Sequence, residues 1–209
     1  MSRGEYAYAN AELNASHHYL LPAVKGIVGK ADGGKEATRI FDLGCGNGSV
    51  AHEFQKLGFH VVGVDASVSA IREANQRYPS LRLEIGSVYD DLANTYGTFP
   101  IVLSLEVVEH LYFPRKFATT LFRLVEPGGM AVVSTPYHGY WKNLVLALSG
   151  RMDRHFTALW DHGHIKFWSV HTLRTLLEEA GFHVVKFLRV GRVPLLAKSM
   201  IVVARKPHE

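Results

Sequence analysis

The 209-residue sequence predicts an α/β protein: a doubly wound, mostly parallel seven-stranded sheet that closes with a C-terminal antiparallel hairpin. Three observations carry this expectation. Short apolar runs alternate with helix-period segments as far as residue 136, the pattern of strands joined by crossover helices. A glycine-rich turn follows the first of those strands, at the edge where such sheets bind ligands. The last two β-rich runs, HVVKFLRV and SMIVVARK, are joined by a connection too short for a helical crossover, so they should pair antiparallel.

Each element follows in order. Residues 10 to 29 have helical character with a break or kink expected at Pro22, because an interior proline removes a backbone donor. ATRIFDLGCGNGSVAHEFQKLGFHVVGVDAS then reads as a strand into Asp42, a glycine loop, a helix stopped by Gly58, and a second strand ending at Asp65. Ser67 is placed to cap a third helix, LRLEIGSV makes the third strand and residues 100 to 105 the fourth. KFATTLFRLVEPGG is a helix closed by a proline and glycine turn, and MAVVSTP the fifth strand. Ser169 should cap VHTLRTLLEEA, whose Val170, Leu173, Leu176, Leu177 and Ala180 form one apolar face, with Gly181 as its stop.

With 47% hydrophobic and 20% charged residues, the composition is globular, and no segment has the uninterrupted apolar length of a spanning helix. The length suits one domain, 1–209. A net charge of +4 is spread without any block of lysines and arginines. That argues against a nucleic-acid groove and favours a small-molecule substrate. The single cysteine, Cys45, excludes an internal disulfide framework, and the polar opening MSRGEYAYANAELN lacks the apolar core of a secretory signal. A cytoplasmic protein is expected.

The motif FDLGCGNG places an acid two residues before Gly44, with glycines at 44, 46 and 48. Glycines are needed where the chain turns sharply and where a ligand approaches the backbone. The spacing differs from the G-x-G-x-x-G of dinucleotide sites. Together with Asp65, with EPGG at 126 to 129 and with the terminal hairpin, it resembles the class I S-adenosylmethionine-dependent methyltransferases, which have a Rossmann-like fold. The resemblance implies a cofactor site made by Asp42, Gly44, Cys45, Gly46, Asp65, Ala66, Ser87, Val88 and Leu105. In it the glycine loop holds the methionine part, Asp65 meets the ribose hydroxyls, Ala66 flanks the adenine and Leu105 lies along the cofactor. The chemistry agrees, since a ribose diol wants a two-oxygen acceptor and adenine wants apolar faces.

In SLEVVEHLY, residues 104 to 112, an apolar run meets Glu106, Glu109 and His110. A helix starting near Glu106 would put all three on one face, as a metal site or a proton-transfer site. The string EVVEHL resembles the ubiquinone-biosynthesis O-methyltransferases and the small-RNA 2′-O-methyltransferases. The latter likeness implies a divalent metal held by Glu106, Glu109, His110 and a later histidine, His162 or His164. Such a set of oxygen and nitrogen donors suits Mn or Zn, and Mg with water completing its shell. Two readings stand beside the metal: His110 or His162 as general base, and a structural role in which the glutamates favour a helix N-terminus.

Residues 137–168 form a connection longer than ordinary ones and are read as an inserted substrate cap. Its aromatic residues, including Tyr137, Tyr140, Trp141, Phe156, Trp160 and Trp168, could wall a pocket for an aromatic or lipophilic hydroxyl compound. Residues 139–156 combine an apolar stretch with Arg151 and Arg154, a pattern suited to peripheral membrane contact. His17, His18 and Tyr19 are placed to close over the cofactor from the other side. The expectation is O-methylation with S-adenosylmethionine as donor, metal-assisted or metal-free, with RNA 2′-O-methylation and a non-catalytic cofactor-binding module as alternatives.

Overall fold

A computed structural model describes residues 12–32, 38–161 and 163–208. Seven strands, β1 (Arg39–Leu43), β2 (His60–Asp65), β3 (Arg82–Ile85), β4 (Phe99–Leu105), β5 (Val125–Pro136), β6 (His183–Val190) and β7 (Ser199–Arg205), form one sheet in the order 3-2-1-4-5-7-6. All neighbours are parallel except β7, which runs antiparallel to both β5 and β6. This is the expected doubly wound sheet with its closing hairpin. Since β7 reverses direction twice over, β6 runs the same way as β5. The loop from Gly191 to Lys198 therefore lies at the carboxyl edge, with the ends of β1, β2 and β4.

Alternation along the strands sends Ile40 to one face and Phe41 to the other, and each face is covered by helices. On one side α1 (His17–Asp32), α2 (Ser49–Gln55) and α3 (Val68–Arg77) bury Leu20, Val24, Phe54 and Ile71. On the other, α4 (Leu92–Tyr96), α5 (Pro114–Leu124) and α8 (Val170–Glu179) bury Leu92, Phe117, Leu121, Leu173 and Leu177. Between β5 and α8 lie α6 (Tyr140–Leu148) and α7 (Met152–Phe156). With both faces covered, central β4 is buried at every residue but Pro100.

The expected caps are present. Ser67 Oγ accepts from the Ala70 N–H, and Ser169 forms a capping box with Thr172. Three expectations need correction. The first helix begins at His17, where the Asn14 carboxamide oxygen accepts from the Ser16 and His17 N–H groups, and it runs on through Pro22. Burial of Leu20, Leu21, Val24 and Val28 offsets the single hydrogen bond the proline removes. The third strand stops at Ile85, because the Gly86 N–H turns to the Asp65 carbonyl and the Asp90 carboxylate takes the Ser87 N–H. Ser87 and Val88 thus lie in a turn. No helix starts at Glu106; that residue has φ 57, and only the 3₁₀ turn Val108–His110 follows.

Candidate active site

β1 ends in a loop whose backbone favours glycine at three positions, with φ 85 at Gly44, 52 at Gly46 and 75 at Gly48. A Cβ at Gly44 would lie 2.5 Å from Val107 Cγ2, and one at Gly48 2.5 Å from Leu83 Cδ1. The Gly44 and Cys45 N–H groups donate to the Val64 carbonyl, and the Asp65 carboxylate takes the Gly46 N–H on one oxygen and the Ser67 N–H on the other, each at 2.8 Å. Asp65 thus clamps the loop to the end of β2. Ala66 beside it is exposed, while Leu105 and Val88 are buried.

Asp42 is buried beneath the loop, and its Oδ2 has no hydrogen-bond partner among the described residues. Burial, and then the charge of Asp65, push its carboxyl up to about 7. Cys45 packs against Gly63, and burial together with the two nearby aspartates pushes its thiol well up, leaving a packing role rather than a nucleophilic one. From the N-terminal side, the Asn47 side chain donates to the Glu12 carbonyl, so the segment before α1 rests on the glycine loop.

Glu106 sits just past β4 in the left-handed region, a conformation that costs a non-glycine residue about 1–3 kcal/mol and that gathers at functional sites. Its N–H bonds to Ser134, its Oε1 accepts from Ser134 Oγ at 2.8 Å and its Oε2 from Ser199 Oγ at 3.2 Å. The Tyr19 hydroxyl shares a 3.1 Å hydrogen bond with Ser199, so α1 reaches the site through this chain. Burial raises the Glu106 carboxyl to about 7, against the pull of the two serine hydrogen bonds and of Lys142.

Glu109 is the most deeply buried acid of the site. It is 1% exposed, neither carboxylate oxygen has a hydrogen-bond partner among the described residues, and burial followed by the charge of Glu106 holds it well above the usual range. His110 Nδ1 lies 3.3 Å from the Gly163 carbonyl, which can only accept, so Nδ1 is the donor in that contact and Nε2 is the ring nitrogen that faces Glu109. That Nε2 is 4.0 Å from Glu109 Oε1, and the His164 ring stands edge-on to His110 at 4.9 Å. One donor atom from each of Glu109, His110 and His164 falls within 4.8 Å of the others. Burial, then His110, brings His164 down to about 4, so it is neutral and able to ligate.

The two glutamates therefore divide. Glu109 joins the histidine cluster, whereas Glu106 is not in that group and spends its oxygens on two serines. His162 lies outside the described residues. The segment carrying His164 is tied to the 3₁₀ turn, since the Ile165 and Lys166 N–H groups both donate to the Glu109 carbonyl and Trp168 Nε1 donates to the Val108 carbonyl. Tyr137 and Trp168 pair at the base of the 137–168 segment, and both are buried. Tyr140, Trp141 and Trp160 are exposed, and the Trp160 ring stands edge-on to that of His164 at 5.7 Å. Ser134, Ser199 and Thr135 are the polar residues that the sequence reading missed. They sit inside apolar strands, where only their place at the strand ends, beside Glu106, could have marked them.

The methyltransferase-domain family model matches residues 8–186. The chain is similar to the ubiquinone biosynthesis O-methyltransferase of Caulobacter sp. (strain K31), 39% identical over 48% of this chain and 41% of that protein. It is also similar to the enzyme of the same name from Ruegeria sp. (strain TM1040), 31% identical over 74% of this chain and 64% of that one. It thus spans less than half the length of the first of these relatives. Among solved structures, the magnesium protoporphyrin IX methyltransferase of Synechocystis PCC 6803 with bound SAH superimposes with a TM-score of 0.65 at 20% identity, covering 88% of this chain and 82% of that one. The methyltransferase domain of bacterial CtHen1 gives a TM-score of 0.67 at 23% identity, covering 92% and 100%. Glycine loop, sheet order and family match agree: the chain belongs to the class I S-adenosylmethionine-dependent methyltransferases.

Proposed function

We propose that this protein transfers the methyl group of S-adenosylmethionine to a hydroxyl oxygen of a small aromatic or lipophilic compound, at a site assisted by a divalent metal. The observation that carries the reading is the group of Glu109, His110 and His164, in which a buried carboxylate has no hydrogen-bond partner among the described residues and His110 Nε2 lies 4.0 Å from one of its oxygens. Burial holds the Glu109 carboxyl in its protonated form, and a cation bound beside it would favour the ionised, ligating form. The donor set fits a metal, and the Gly163 carbonyl supplies the outer hydrogen bond that orients an imidazole ligand. Glu109, His110 and His164 would hold it. When bound there, a divalent ion supplies Lewis-acid lowering of a hydroxyl pKa.

The chain's own groups do the rest. The glycine loop and Asp65 hold the donor so that its methyl faces the end of β4, where Leu105 and Glu106 stand. Glu106, with a carboxyl near 7 and its oxygens steadied by Ser134 and Ser199, is placed to accept the hydroxyl proton at Oε1 or Oε2. The segment 137–168 covers the acceptor and excludes water. The outer face of that segment presents Trp141 at 57% and Leu148 at 80% exposure beside Arg151 and Arg154, which suits peripheral contact with an anionic lipid surface. No helix among the described residues is long and apolar enough to cross a membrane.

The test is transfer of label from methyl-tritiated S-adenosylmethionine to catechol, to longer-chain alkyl catechols and to RNA bearing a free 3′ ribose. The reading expects labelled methyl ether from the catechols, stimulated by Mn(II). Label in RNA alone would replace the small-molecule acceptor, and SAH binding without transfer to any hydroxyl would contradict the reading.

A further inference from the structure

Within the group of Glu109, His110 and His164, only His164 comes from the 137–168 segment, so its position depends on how that segment is held. The side after it is anchored. The Ile165 and Lys166 N–H groups both donate to the Glu109 carbonyl at 2.9 Å. On the side before it, the Trp160 N–H donates to the Thr157 carbonyl at 2.9 Å and the Trp160 carbonyl accepts from the Gly163 N–H at 3.0 Å. Two successive turns thus lead into His164. Thr157, where they start, has φ 43, a left-handed backbone unfavourable for a β-branched residue.

The indole of Trp160 packs on the backbone of Gly163, where a Cβ would lie 3.2 Å from Trp160 Cε3 and 2.9 Å from the Trp160 carbonyl oxygen. A side chain at 163 would push the ring away. The same indole stands edge-on to the His164 ring at 5.7 Å, and His164 stands edge-on to His110 at 4.9 Å. The Gly163 carbonyl meets His110 Nδ1 at 3.3 Å, while His110 Nε2 lies 4.0 Å from Glu109 Oε1. One ring therefore touches both the peptide that faces His110 and the imidazole of His164. Trp160 is 47% exposed and belongs to neither hydrophobic core, so covering core surface is not what its ring supplies.

Resting on the metal-assisted reading above, we infer that Trp160 is a positioning residue of the metal-holding group: its ring keeps the Gly163 peptide turned to His110 and the His164 imidazole beside it, so that both imidazoles and Glu109 address one ion. A ligating histidine takes its orientation from the partner of its other ring nitrogen. Here that partner is a carbonyl in a turn, and the turn is held by the indole lying on it. With Trp160 on one side and the Glu109 carbonyl on the other, His164 has little freedom left. Ligands already in place need no ordering when the ion arrives, which raises affinity.

The experiment titrates the full chain, metal-stripped and saturated with SAH, with Co(II), followed by calorimetry and by visible ligand-field absorption. Trp160→Ala is expected to bind Co(II) about tenfold or more weakly and with an altered spectrum, while SAH affinity and the urea midpoint stay near the parent values. Trp160→Phe keeps an aromatic ring and should restore most of both. Gly163→Ala should also weaken binding, and by a smaller factor in the Trp160→Ala background, because the ring it displaces is then gone. Parent affinity and spectrum in Trp160→Ala would overturn the inference. So would a Phe variant as weak as the Ala variant, independent effects of the two alanine substitutions, or a loss of affinity matched by a lowered urea midpoint, which would make the role structural. A parent that binds no Co(II) would sink the metal reading and this inference with it, whereas parent binding that persists unchanged in Trp160→Ala would sink this inference alone.

Discussion

Between Asp42 and Val50 every residue but Gly44 is buried, and the backbone is bonded to the end of β2 or held by Asp65. Along α6, by contrast, no residue is buried, and Tyr140, Trp141, Val145 and Leu148 are exposed. On the function proposed above, the first would present fixed backbone amides and shaped space to a ligand that is the same in every cycle, and the second adaptable side chains to the acceptor and to a lipid surface. Rigidity is concentrated where the donor's methyl must be aimed, consistent with the value of orientation in a displacement reaction.

The sharpest way to break this contrast is at Asp42. Its folded carboxyl sits near 7 against an ordinary 3.8, so the folded state keeps a proton that the unfolded chain gives up. Stability from this group is full below about pH 4 and is lost as pH rises toward 7, on the order of 4 kcal/mol across the window. Urea denaturation of the cofactor-free protein from pH 4 to 8 should show this decline, and Asp42→Asn should remove the Asp42 share of it, leaving the share of Glu106 and Glu109, whose carboxyls are raised in the same direction. An unchanged slope would place the origin elsewhere.

Next in size is Gly44→Ala. It combines a left-handed backbone with a Cβ 2.5 Å from Val107, for an expected loss of about 2–4 kcal/mol. SAH affinity should fall at least tenfold, read by calorimetry. A smaller effect is expected for Tyr19→Phe, which removes the hydrogen bond to Ser199 and should cost about 1 kcal/mol in denaturation while loosening Glu106. Least of all, Trp141→Ser on exposed α6 should change stability by no more than about 0.5 kcal/mol. The same change should weaken sedimentation with anionic vesicles. A large stability loss there would mean that the cap is packed rather than free.

Much of the cofactor half was legible because its constraints are local. A glycine at positive φ, a serine cap at Ser67 and an aspartate at a strand end each leave a mark within a few residues. The doubly wound sheet and its closing hairpin followed from alternation and connection length. The acceptor half was legible only in part, since its geometry is set by distant pairs. Ser134 and Ser199 reach Glu106 from β5 and β7, and Gly163 orients His110 from across the cap. The spacing of SLEVVEHLY suggested one helical face, but the positive φ at Glu106 turns the chain and separates the two carboxylates. No periodicity announces a backbone reversal of that kind at a non-glycine residue.

The most direct test of the account is calorimetric titration of metal-stripped, SAH-saturated protein with Mn(II), comparing the parent with His164→Ala. The account predicts one-to-one binding in the parent and a loss of affinity of at least about 10–100-fold in the variant, with SAH still bound by both. Absence of metal binding in the parent, or the same affinity in the two proteins, would contradict the assignment of Glu109, His110 and His164 as the metal-holding group.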